Sequence, residues 1–394
     1  MNNNSLSLLA CLAISFFILE GCSDTPNSTG IQTIPAKDLV NVKTFDSRLS
    51  SSMTRTSSYI IDEPHLDADF ITLGKANGYE ADIFIRFTIF PDSVANSGTL
   101  RSAYLTLTPT RYAIGDKNAA LSFDVNKITS DWSAFPVLYR SLDSISTDIT
   151  LRGSFTGITQ DTIPIRIPLD TSMVREWFVH TSNQEQSLIY GMLLKPSSSN
   201  TVLRSFYSSK SVGTSQPTLT ILRDNNFGGT DTLLASGTVD TYVIAGPPIQ
   251  TSSAFEAQGG VYHRGALWFD VSGVPPNSII NNAVVELSLN RPESQLNYRA
   301  VDSLIVQQTL DSTLRTYTAA GAIGTRLYGN DIYVFSGMSL IRTVQMWVNR
   351  PYLNQGLTIR TVNEESDLDL YALYGAASDT LHKPRIVITY TSQP

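Results

Sequence analysis

Residues 267–292 read LWFDVSGVPPNSIINNAVVELSLNRP, and residues 85–110 read IRFTIFPDSVANSGTLRSAYLTLTPT. Each stretch is an alternating run, a polar turn marked by proline, and a second alternating run. In the run Asp82 to Phe90, where the earlier stretch begins, Ile83, Ile85, Phe87 and Ile89 share one face. In the later one Ala283, Val285, Leu287 and Leu289 follow the polar pair Asn281-Asn282 and share one face. Period-2 alternation is the mark of a strand with one buried side. Pro91, Pro275 and Pro276 fall between the runs, where a missing N–H costs little.

The likeness extends outward in a fixed order. Tyr59-Ile60-Ile61 answers Tyr242-Val243-Ile244, and Ile85-Arg86-Phe87 answers Leu267-Trp268-Phe269. Val174 with Trp177 answers Val344 with Trp347. Gly191-Met192-Leu193-Leu194 answers Gly356-Leu357-Thr358-Ile359, and Pro217 to Ile221 answers Pro384 to Ile388. A duplicated unit is the simplest reading. The chain is therefore expected to be all-β, with two tandem antiparallel β-sandwich domains at 57–224 and 231–394, joined by a linker at 225–230. Helices are expected only at 172–180 and 339–349, with Trp177 and Trp347 plugging the cores.

A length of 394 residues suits two domains, and a hydrophobic content of 42% supports folded cores. The net charge of -7, with no Lys/Arg-dense run, excludes general nucleic-acid binding. Cys11 and Cys22 are the only cysteines, so residues 23–394 hold no disulfide and no cysteine nucleophile. Residues 8–19, LLACLAISFFIL, are too short for a membrane span and fit a signal-peptide core. Leu19-Glu20-Gly21-Cys22 resembles a bacterial lipobox. On that reading 1–22 is a lipoprotein signal, Cys22 is lipidated, and 23–56 is a tether and lead-in. The chain then belongs in the bacterial cell envelope, anchored to a membrane through lipid; Asp does not directly follow Cys22, which by resemblance to proteobacterial sorting rules favours the outer membrane. The alternative is an ordinary cleaved secretory signal.

The order of Val239-Asp240-Thr241-Tyr242-Val243, Leu267-Trp268-Phe269-Asp270-Val271-Ser272, Ile280 with Ala283, Trp132-Ser133 and Pro384-Arg385-Ile386-Val387-Ile388-Thr389-Tyr390 resembles the DNRLRE-domain family. The hexapeptide itself is absent, and Trp268 stands where the strand arginine, kept as Arg86 in the first copy, is expected. The resemblance implies jelly-roll-like sandwiches. It also implies an accessory module similar to an alginate-binding carbohydrate-binding module.

No H-E-x-x-H, G-x-S-x-G, P-loop or dinucleotide glycine motif occurs. The expectation is a non-catalytic protein that binds an extracellular polysaccharide or another surface polymer. The alternatives are a structural, adhesive or protein-docking module, whose partner is unspecified, and a polysaccharide lyase or hydrolase. Sugar binding needs exposed aromatics and polar side chains. Trp132, Arg86 and Trp268 are the candidates, against Trp132 as a core plug and Trp268 on a covered outer face. No cofactor is expected. Asp67 with Asp69, and Glu364, Glu365, Asp367 and Asp369, form the densest acidic runs. Asp367 and Asp369 are candidate ligands for a structural Ca²⁺, a hard cation that favours loop carboxylates, against a simple solvated loop.

Overall fold

The computed structural model describes residues 41–50, 52–65, 68–90, 98–132, 137–211, 213–225, 228–247, 254–297, 303–327 and 331–392. Cys22, the signal segment, the tether to residue 40, Asp67 and the turn holding Pro91 lie outside the described residues. No helix among the described residues is long and apolar enough to cross a membrane.

The chain is mostly strand, and its strand pairings are antiparallel. The first sheet contains β3 (Phe70–Ala76), β4 (Tyr79–Phe87), β5 (Leu100–Leu107), β6 (Pro109–Gly115), β7 (Ala120–Ile128), β8 (Thr147–Ile158), β9 (Ile165–Leu169), β10 (Met192–Pro196), β11 (Val202–Tyr207), β12 (Thr218–Asp224) and β13 (Thr230–Ala245). Its hydrogen bonding runs β4–β10–β7–β8–β9–β5–β12–β13 and returns to β4, which closes a barrel. β3, β11 and β6 extend it from β4. The second sheet contains β1 (Asn41–Asp46), β2 (Thr54–Ile60), β14 (Ala254–Gln258), β15 (His263–Phe269), β16 (Ile279–Ser288), β17 (Ser303–Asp311), β18 (Thr316–Leu327), β19 (Ile332–Ser336), β20 (Leu357–Thr361), β21 (Leu370–Tyr374) and β22 (Arg385–Ser392). It runs β15–β20–β17–β18–β19–β16–β22–β1, with β2 on the other edge of β15. The ring is broken between Asp46, where β1 ends, and Thr54, where β2 starts, which leaves a half-barrel. In the first sheet the sixteen-residue β13 spans both seats without a break.

A barrel and a half-barrel thus stand in place of the expected pair of sandwiches. Alternation says that one face of each strand is buried. It does not say whether that face meets a second sheet or the far wall of its own.

The equivalence of the copies is visible in the backbone. Arg101 lies in a β-bulge between β5 and β12, and Asn281 in the matching bulge between β16 and β22. The Asn281-Asn282 pair therefore sits inside a strand, not ahead of it. Gly191 and Gly356, at equivalent positions, take φ of +85° and +89°. A Cβ on either would collide with a backbone carbonyl, that of Ile85 or Leu267, and these too are equivalent.

One pairing departs from the sequence order. Tyr59 and Tyr242 lie near the ends of the two lead strands, one position apart in register, yet β2 pairs with β15 of the second copy, and β13 pairs with β4 of the first. Likewise β1 lies on β22, while the first half of β13 lies on β12. The lead segments are exchanged between the copies. The expected linker at 225–230 accordingly lies between the paired strands β12 and β13 of the first sheet, with Asp224 paired to Thr230, and not between two sheets. The hydrogen-bonded units are not divided where the repeats are.

Helices α1 (Thr171–Ser182) and α2 (Met338–Asn349) pack against their sheets, as expected from 172–180 and 339–349. Asp170 caps α1 by accepting from the Ser172 N–H at 2.8 Å. Trp177 and Trp347 are 2% and 0% exposed and belong to the first and second cores. The cores also trade members. Phe45 of the lead segment enters the second, and Leu368 of the second copy enters the first.

Candidate functional site

The sequence candidates do not form one groove. Trp132 is 4% exposed in a small cluster with Phe84, Ile128, Val137 and Val243. Its indole N–H donates to the Tyr190 carbonyl at 2.6 Å. It is a plug, with no ring face left to stack on a sugar, because its ring fills the gap outside β4. Arg86 is half-buried and lies 4.0 Å from Asp131 and 3.3 Å from the Ser187 carbonyl. Trp268 is half-buried on the second sheet. Its N–H donates to the Asn354 carbonyl at 3.1 Å, and the Arg55 guanidinium lies 4.9 Å over its ring. Arg55 is its register partner on β2, so the exchanged strand supplies the cover.

The two aspartates serve the joint between the sheets. Asp369 is 2% exposed and accepts from the Tyr112 hydroxyl at 3.0 Å and the Asn297 N–H at 3.1 Å. The same tyrosine oxygen accepts the Leu368 N–H at 2.7 Å. Burial, then the nearby Asp369 charge, raise the Tyr112 hydroxyl well above its ordinary value. Asp367 accepts from Asn363 at 3.2 Å, and burial raises its carboxyl. Their alternate spacing comes from Leu368, which points into the first core between them. Among the described residues no group of three or more His, Cys, Asp or Glu is placed to hold a metal.

The joint carries the densest chemistry. The segment leaving β2 passes His65, whose ring lies 4.0 Å from that of Tyr242 and 5.0 Å from that of Tyr262. Its Nε2 donates to the Gly260 carbonyl at 2.7 Å. Burial lowers the His65 pKa to about 4, so the ring is neutral near pH 7. The Tyr262 hydroxyl donates to Pro64, and the Tyr242 hydroxyl to Glu365. Tyr262 holds φ at 51°, a left-handed conformation that is uncommon for a bulky residue. Such strain persists only where the surroundings over-determine it. Beside it Arg264, 1% exposed, donates to Glu364 at 2.7 and 2.8 Å and to Glu63 at 3.1 and 3.4 Å. Burial works most strongly against its charge, but the Glu364 bonds together with the charges of Glu364 and Glu63 hold the guanidinium above its ordinary pKa.

These groups border a polar cleft of about 380 Å³, lined by Glu63, Asp69, Phe70, Tyr262, Arg264, Tyr317, Arg360 and residues 362–366. Phe70 and Tyr317 are half-buried rings. The Arg264 guanidinium lies 5.0 Å from the Tyr317 ring. Arg360 donates to Gln307 at 2.8 Å and lies 3.7 Å from Glu364. Four carboxylates (Glu63, Asp69, Glu364, Glu365) face two guanidiniums, so the cleft is acidic. An apolar cavity of about 400 Å³ adjoins it, shares Glu63 and Tyr262, and includes Ile60, Val243 and His65.

No family model matches this chain, and no curated protein does. Among solved structures the chain is similar to the structure of the Macrobrachium rosenbergii nodavirus, at 10% identity over 94% of each chain, with a TM-score of 0.15. A likeness at that score assigns neither fold nor function.

Proposed function

We propose that this chain is a non-catalytic, lipid-anchored envelope protein that binds a glycan in the cleft at the joint of its two sheets. Its copies then descend from a DNRLRE-like, jelly-roll-type module. The cleft carries the reading, because it sets half-buried aromatic rings beside fixed polar groups. Ring faces stack on sugar rings, and pre-placed donors and acceptors take the hydroxyls. The non-catalytic part is supported by how the titratable groups are used. Glu63 and Glu364 share one guanidinium, and the Tyr262 hydroxyl and His65 Nε2 are each spent on a carbonyl. The excess of carboxylates favours neutral or amine-bearing glycans over uronates such as alginate, since like charge at a site is repulsive.

The test is affinity electrophoresis of the mature chain through gels holding a neutral, an amine-bearing or a uronate polysaccharide. Retardation by one of the first two is expected, with Tyr317→Ala weakening it about tenfold, or 1.4 kcal/mol. No retardation in any gel would sink the reading. The exposed Ile149, Leu151 and Ile158 on β8 favour a second reading, a protein-docking surface. Ile149→Asp separates the two by leaving glycan retention intact.

A further inference from the structure

The exchange of lead segments has a consequence for assembly. The seat on β12 and β4 is filled by β13, which follows β12 in sequence after residues 225–229. The equivalent seat on β22 and β15 is filled by β1 and β2, which arrive from the far end of the chain. Among the described residues no β-pairing ties β1 or β2 to the copy that follows them in sequence. The contacts that clamp residues 61–65 are also made largely to the second copy: Glu63 to Arg264, Pro64 to Tyr262 and His65 to Gly260. The seat is chemically indifferent to which molecule supplies the segment. It reads the β1–β2 register, the Phe45 side chain that enters the second core, and side-chain contacts such as Asp46 to Arg385 and Glu63 to Arg264.

We propose that the lead segment, residues 41–65, is a donor element that can complete the second sheet of another copy of this chain. The partner is the chain itself, and the contact is head-to-tail. Because donor and acceptor surfaces differ, such a contact is heterologous and extends to open oligomers unless it closes into a ring. The closed monomer makes the same pairings and is favoured only by tethering. The tether between the donor and β3, residues 66–69, reaches at most about 14 Å, at about 3.3–3.6 Å per residue. A short tether corresponds to an effective concentration on the order of millimolar. Exchange is therefore expected only in concentrated chain, after conditions that open the joint, and is expected to persist on dilution.

The test uses the full chain with Cys11→Ser and Cys22→Ser, carrying Ser57→Cys and Ala266→Cys, which are register partners on β2 and β15. A control chain carries Leu222→Cys and Thr232→Cys, register partners within the β12–β13 hairpin. Each is oxidised when dilute, and again after incubation at millimolar concentration near the urea midpoint and return to buffer. The expected result on non-reducing gels is monomer for both when dilute. After concentration, a ladder of covalent dimers and larger species should form for the Ser57/Ala266 pair alone. Only monomer for that pair at every concentration overturns the proposal. Failure of the pair to oxidise in dilute chain also overturns it, by removing the pairing on which it stands. A ladder from the control pair assigns the species to aggregation and overturns it too.

Discussion

Replacing Arg264 by Met tests the physical account of the joint. The guanidinium is 1% exposed, and its partners differ in burial: the Glu364 side chain is 6% exposed and that of Glu63 is 44%. In Arg264→Met the Glu63 carboxylate turns to water at little cost. Glu364 stays buried, with Arg360 at 3.7 Å as its remaining ion-pair partner. Removing one member of a buried pair costs about 3–5 kcal/mol, since the other charge is stranded. Partial relief by Arg360 places the loss near the low end, at about 3 kcal/mol. Adding Glu364→Leu removes the stranded charge, so the double variant should regain at least about 1 kcal/mol over the single one. Urea unfolding followed by tryptophan fluorescence measures both, provided the slope with denaturant is unchanged. A single-variant loss below about 1 kcal/mol, or a double variant as unstable as the summed parts, refutes the reasoning.

Trp177→Ala and Trp347→Ala should each cost about 3–5 kcal/mol, read as a fall in urea midpoint, because both rings are fully packed in a core. Asp82 is 8% exposed, and burial raises its pKa to about 6. The folded chain thus holds a proton that the unfolded chain has lost between about pH 4 and 6, and stability drains away as pH rises through that window. Asp82→Asn should match the parent near pH 4 and exceed it by about 1–3 kcal/mol at pH 7.5. His65, with its lowered pKa, slopes the other way in both chains and cancels in the comparison; an equal offset at both pH values would count against the assignment. Calorimetry should give one cooperative transition, since each sheet is completed by the other copy's lead segment; two resolved transitions would show that the exchange does not couple them. Titration with a retained oligosaccharide should give one site per chain, and two equal sites would return the binding role to the duplicated sheets.

The alternation around Leu267, Phe269, Ala283 and Val285 made the strands and their buried faces legible, and the ordered matches made the duplication legible. The helices were legible from Val174 with Trp177 and Val344 with Trp347. Sheet closure was not, because alternation is blind to what lies across the core. Strand exchange was also hidden. The sequence match of Tyr59 with Tyr242 is one residue out of register, since Tyr59 pairs with Arg264 and Tyr242 with Ile83, and it does not say which copy each lead strand pairs with. Tyr262 in a left-handed conformation left no trace beyond the preceding Gly259-Gly260.

Arg264 did leave a signal, in a charge placed inside an alternating strand. By the register of the repeats Arg264 and Asp82 are equivalent, so each copy places a charge inside the strand that builds its core. The two are resolved differently. Arg264 gained Glu364 and Glu63, one from the acidic loop and one from the exchanged lead segment. Asp82 has a buried Oδ1 without a hydrogen-bond partner. A pair of equivalent binding sheets would keep equivalent groups at such a position. The divergence instead assembles polar chemistry on one side of the molecule, from parts of both copies, where the crossing segment runs. The break in the repeat at Trp268 has a smaller meaning, since Arg55 of the same crossing segment covers it. Exchange of the lead segment is therefore what builds the cleft, and Glu63 reaches Arg264 only because that segment is seated on the second sheet.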